Sequence, residues 1–111
     1  MKKTTAANRK STNNKNTRPE ISNIRRRVVP ILKRHEIKRA ALFGSFARGE
    51  QTAHSDLDLL VEFRRGKNLF DLVALKMDLE IKTGRKVDLL TYRSLHRSIR
   101  DRVLSEQVIL L

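Results

Sequence analysis

Leu42-Phe43-Gly44-Ser45-Phe46-Ala47-Arg48-Gly49, followed after five intervening residues by Ser55-Asp56-Leu57-Asp58-Leu59-Leu60-Val61, is the stretch on which the reading of this chain turns. Upstream of Gly44, Arg39 to Phe43 is a short apolar run ended by the glycine and reads as a first strand. Leu57 to Phe63 reads as a second strand and Lys86 to Thr91 as a third. Between these two, Leu69, Leu72, Val73, Met77 and Leu79 or Glu80 trace a helix, opened by Asn68 as N-cap and closed by Gly84. Toward the N-terminus, Ile21, Ile24, Val28, Ile31 and Leu32 recur at helical spacing from Glu20 onward. Pro30 lies inside that stretch and is expected to kink the helix or start a new one near Val29, since proline removes a backbone donor and crowds the preceding turn. A last helix is expected from Ser94 to about Ser105, with Leu95, Ile99 and Val103, and at the margin Leu104, turned inward. Val108 to Leu111 is too short to assign. There is no internal repeat, and the class is α/β, a small sheet covered by helices.

The chain has 111 residues, enough for one domain but not for a second, substrate-binding one. Its net charge of +13 is unevenly placed: residues 1 to 39 hold 13 basic and 2 acidic residues, residues 40 to 111 hold 12 and 10. Met1 to Arg18 has no acid and only Met1, Ala6 and Ala7 as apolar residues, so burial cannot repay its ordering. The expected division is a disordered basic tail over 1–19 and a folded domain over 20–111. Such a tail is most simply solvated, with nucleic acid a possible but disfavoured partner. Its basic, hydroxyl-rich composition loosely suits a transit peptide, but a clear amphipathic stripe is missing. No cysteine is present, which removes disulfides and zinc-thiolate sites. No apolar run approaches the roughly 20 residues that cross a bilayer, so a soluble, cytoplasmic protein is expected.

The chemistry is carried by a few residues. Gly44-Ser45 closes a strand and opens a short helix, where backbone N–H groups and a hydroxyl converge on an anion such as phosphate; alone, the pair is more often an ordinary turn. Arg48 is in reach of the same phosphate, or of Glu50. Asp56 and Asp58 are two apart, so on an extended chain their carboxylates share a face and repel. Oxygen ligands of this kind suit magnesium or manganese, although an isolated Asp-x-Asp is more often an exposed strand end. Asp88 shifts the balance, because it stands between Val87 and Leu89 in an otherwise apolar strand and needs a partner. That partner is either a metal shared with Asp56 and Asp58, if the strands pair, or a salt bridge to Arg85, Lys86 or Arg93. His35, His54 and His96 lack metal-ligand spacing. Phe43, Phe46, Phe63 and Phe70 read as core, and Tyr92 is the only tyrosine, so no aromatic platform for single-stranded nucleic acid is present.

Taken together, Gly44-Ser45, Asp56-x-Asp58, Phe46-Ala47-Arg48-Gly49-Glu50, the strand Leu57 to Phe63, Asn68-Leu69-Phe70-Asp71-Leu72 and Gly84-Arg85-Lys86-Val87-Asp88-Leu89 resemble the minimal nucleotidyltransferase (MNT) domains of the DNA polymerase β superfamily. The resemblance covers roughly residues 24 to 111. It implies a mixed sheet with Gly44 and Ser45 on the triphosphate, Arg48 beside them, and Asp56, Asp58 and Asp88 around two magnesium ions, Asp88 accepting the proton of the attacking hydroxyl. MNT proteins of this size are commonly antitoxins of HEPN/MNT toxin–antitoxin systems, and some transfer AMP from ATP to a tyrosine of the HEPN ribonuclease toxin (AMPylation, type VII-like). The implied substrate is ATP and the implied partner is a HEPN-domain toxin. The readings that compete are an antitoxin that neutralises by binding alone, a basic nucleic-acid-binding module, and an antibiotic-modifying type of nucleotidyltransferase, the last disfavoured because those enzymes carry a further domain.

Overall fold

The computed structural model describes residues 18 to 111. The expected tail over residues 1–17 lies outside them, but Arg18 and Pro19, expected to belong to it, do not behave as tail. Pro19 begins the first helix, α1 (Pro19–Arg34), and Arg18 is its N-cap. Proline suits that position because the first helical N–H has no intrahelical partner to lose. The Arg18 guanidinium also donates to the carbonyls of Phe46 at 2.9 Å and Ala47 at 3.0 Å.

Pro30 does not divide α1, which runs through it as one helix. Its ring is exposed, whereas Ile21, Val28, Ile31 and Leu32 are buried, so packing on the opposite side holds the helix across the missing donor.

After α1 come β1 (Ile37–Phe43), the single turn α2 (Gly44–Arg48), β2 (Leu57–Phe63), α3 (Leu69–Thr83), β3 (Val87–Thr91), a 3₁₀ turn (Tyr92–Ser94), α4 (Arg97–Glu106) and β4 (Val108–Ile109). The sheet order is β3-β2-β1-β4. β1 runs antiparallel to β2 and β4, and β2 parallel to β3, so the sheet is mixed as expected. The unassigned C-terminal residues thus close one edge of the sheet: Ala41 pairs with Ile109 and Leu42 with Val108, and Ala40 bonds on to Leu110 and Leu111. α3 is fixed at both ends by its own sequence. The Asn68 side chain accepts from Asp71 N–H while the Asp71 carboxylate accepts from Asn68 N–H, and Gly84 ends the helix at φ 68°.

The two faces of the sheet are covered unequally. Leu57, Leu59, Val61, Val87 and Leu89 pack with α1 and α3 into the main core, where Leu75 and Leu79 of α3 are fully buried. On the other face Leu60, Tyr92 and Leu95 form a smaller cluster with Phe43, Leu90, Val103 and Leu104. Two inward assignments are corrected: Phe70 is 82% exposed rather than core, and Ile99 of α4 faces solvent; Leu69, Val73 and Met77, whose spacing traces α3, are exposed as well.

Candidate active site

The site is assembled by strand register. Across the parallel pair β2/β3, Asp58 is the partner of Asp88, and side chains at paired positions project from the same face about 5 Å apart. Across β1/β2, Phe43 is the partner of Asp58, so the bend that follows Phe43 arrives beside that carboxylate. Gly44 there has φ 74°, a left-handed conformation that glycine adopts without cost, and a Cβ added to it would collide with the Asp58 side chain. The glycine bend and two of the three expected carboxylates are therefore brought together. Asp56 lies two residues before Asp58, just outside β2, and is exposed.

Electrostatics shows how closely the acids interact. The Asp58 carboxyl is pushed up from 3.8 to about 6, first by burial, then by the negative charges of Asp88 and Asp56. Arg48 acts in the opposite sense and favours its ionised form. Among the described residues Asp88 makes no ion pair with Arg85, Lys86 or Arg93, so the salt-bridge alternative is not realised. An oxygen-only set of mutually repelling carboxylates, one of them held half-buried, fits a hard divalent cation. The carboxylates are gathered rather than closed: among the described residues no three or more acidic or histidine side chains already stand close enough to cage a metal ion.

Of the two partners that sequence left open for Arg48, Glu50 is the one seen in the structure. Its Nε donates to Glu50 at 2.9 Å and its Nη1 lies 3.7 Å from Glu106, yet its charge still acts on Asp58. Ser45 is partly accessible on α2, and its carbonyl accepts from Glu50 N–H at 2.9 Å, which tightens the turn after the glycine bend.

Two positioning residues were not legible in the sequence. Arg85, read only as a possible ion partner of Asp88, instead donates to the carbonyls of Ala53 at 3.2 Å and Ser55 at 3.1 Å, with Thr52 at 3.4 Å. It pins the loop that delivers Asp56 to the start of β3, and its guanidinium stacks 5.0 Å from the Phe46 ring centre. Arg18 binds the last carbonyls of α2 and fills the space beside Gly49, where a Cβ would meet its guanidinium. For Arg85 the only available signal is its place directly after Gly84, which is not specific, and Arg18, far from any glycine in the sequence, carries none.

A cavity of about 500 Å³ lies at the other end of β2 and β3, lined among others by Arg64, Arg65, Tyr92 and Arg93. It contains none of the expected site residues, and the carboxylate geometry is the better guide to chemistry because there a half-buried carboxyl, Asp58, is pushed up in part by neighbouring acids. A smaller groove of about 160 Å³ does reach Asp88, between β3 and α3.

A glycine bend beside paired carboxylates on a mixed sheet is the arrangement of a nucleotidyltransferase, and this chain belongs to the polymerase beta nucleotidyltransferase family, whose pattern matches residues 26–111. A relative from Methanocaldococcus jannaschii, named among the protein adenylyltransferases, is 53% identical over 88 residues, 79% of this chain and 95% of that protein. A solved minimal nucleotidyltransferase is 40% identical, with a TM-score of 0.70 over 80% of this chain and 91% of that one. The MNT antitoxin solved in complex with the tri-AMPylated HEPN toxin of Shewanella oneidensis shares the fold, with a TM-score of 0.64 at 18% identity over 81% and 71% of the two chains. Among the described residues no helix is long and apolar enough to cross a membrane.

Proposed function

We propose that this nucleotidyltransferase transfers AMP from ATP to a tyrosine hydroxyl of a HEPN-type ribonuclease toxin, so acting as its antitoxin. The observation that carries the reading is the pairing of Asp58 with Asp88 beside the Gly44 bend. In this reading Asp56, Asp58 and Asp88 hold magnesium, Gly44 and Ser45 face the triphosphate through backbone N–H groups and hydroxyl, and Arg48 offsets phosphate charge. Magnesium, when bound, supplies charge neutralisation on the phosphates and eases ionisation of the attacking hydroxyl. The acceptor oxygen attacks the α-phosphorus, its bond to the bridging oxygen breaks, and pyrophosphate leaves. In the same reading Asp88 takes the proton of an acceptor arriving from outside, and its exposure on an edge strand supports that role. The protein acceptor is supported by the name of the Methanocaldococcus relative, and the HEPN partner by the Shewanella complex.

The test is incubation of the chain with α-labelled ATP, magnesium and a HEPN toxin. Label is expected on the toxin tyrosine, and loss of it is expected in Asp56→Asn with Asp58→Asn. Neutralisation of the toxin by that double variant, with no label transferred, would instead establish an antitoxin that works by binding alone.

A further inference from the structure

The exposed side of α3 is apolar. Leu69, Phe70 and Ile81 are 71%, 82% and 80% exposed, and Val73 and Met77 lie open between them. At 3.6 residues per turn Phe70, Val73, Met77 and Ile81 fall within roughly 80° of one another, on the side opposite the buried Leu75 and Leu79. Contiguous apolar stripes of this size are seldom left to water and mark interfaces.

Both borders of the stripe are informative. Ile81 lines a groove of about 380 Å³ between α1 and α3 together with Arg26, Arg27, Arg34 and Lys82. The single acid in that groove, Asp78, is already held by His35 at 2.7 Å, so the border is strongly positive. On the other side Val73 shares the groove at the β3 edge with Lys76 and Asp88, which makes the stripe continuous with the carboxylate site. A second copy of this chain is a poor occupant, because two chains of charge +13 repel. The complementary occupant is a foreign helix with an apolar face edged by Asp and Glu on the side that meets α1.

We propose that the α3 stripe is the docking face for the acceptor protein, engaging an acid-edged amphipathic helix and so holding the acceptor at the edge of the sheet beside Asp88. The identity of the occupant as acceptor rests on the proposed function; the docking chemistry does not. It is tested by titrating the full chain into a fluorescent synthetic helix with a leucine face edged by glutamates, and into the same helix edged by lysines. The glutamate helix is expected to bind at least about tenfold tighter, to weaken with salt, and to lose about tenfold with Met77→Glu plus Ile81→Glu. Both substituted side chains are exposed, so circular dichroism should show an unchanged fold. Asp58→Asn should leave this affinity unaltered, and helix binding by the native chain without any nucleotide binding would refute the enzymatic reading while leaving the docking face standing. Equal affinity for both helices, or binding indifferent to the double substitution, overturns the proposal. So does a dimer in sedimentation that the double substitution dissolves, since the stripe would then be covered by a second copy.

Discussion

Asp58 carries a cost that gives the site a pH signature. Its carboxyl is pushed up to about 6 in the folded chain against 3.8 for the unperturbed group, so the folded state favours the protonated acid. The stabilising contribution is complete below about pH 4 and is lost as pH rises through about 6. Asp58→Asn is therefore expected to melt higher than the native chain at pH 7.5 and at an equal temperature near pH 3.5, as measured by thermal denaturation across pH. Magnesium should raise the melting temperature of the native chain at pH 7.5 and do little for the variant; a larger rise in the variant would contradict a metal at this carboxylate. Gly44 is constrained from both sides, by its φ of 74° and by the Asp58 side chain. Gly44→Ala is expected to cost about 1–2 kcal/mol from backbone conformation alone in denaturant titration. It should also abolish nucleotide binding, because the collision displaces the carboxylate.

Among the elements, β2 and the two caps of α3 were legible because each is written locally: an apolar run between polar turns, and Asn68-x-x-Asp71 with a terminal Gly84. The register that pairs Asp58 with Asp88 was legible only as a requirement, since the cost of a lone carboxylate in an apolar strand demanded a partner without naming it. The inward face of α3 is not legible in the sequence, for a physical reason. Leu72, Leu75 and Leu79 on one side and Phe70, Val73, Met77 and Ile81 on the other are all apolar, so periodicity cannot choose between them. β4 was illegible because two residues of pairing depend wholly on the edge that β1 offers. The role of Arg85 depends on three carbonyls some thirty residues away, which no local pattern encodes. Arg85→Ala is expected to keep the fold by circular dichroism while weakening magnesium-nucleotide binding, with partial recovery in Arg85→Lys; unchanged binding in Arg85→Ala would remove it from the positioning of Asp56.

For the whole molecule, every buried residue among those described lies at or beyond Ile21, while Arg18 ties α1 to the end of α2. A chain starting at residue 18 is expected to melt as the full chain does, whereas one that also carries Arg18→Ala should melt lower, by calorimetry. On the proposed function Asp56 and Asp58 from the start of β2 and Asp88 from β3 act as one metal-dependent nucleotide site, and Asp88 is its most demanding member because only strand register brings it there. Titration calorimetry with a non-hydrolysable ATP analogue, with magnesium and with chelator, on the native chain and on Asp88→Asn, addresses that claim most directly. The predicted result is binding that requires magnesium and falls by more than about tenfold in the variant. Binding of equal strength in chelator, or equal strength without the Asp88 carboxylate, would contradict it.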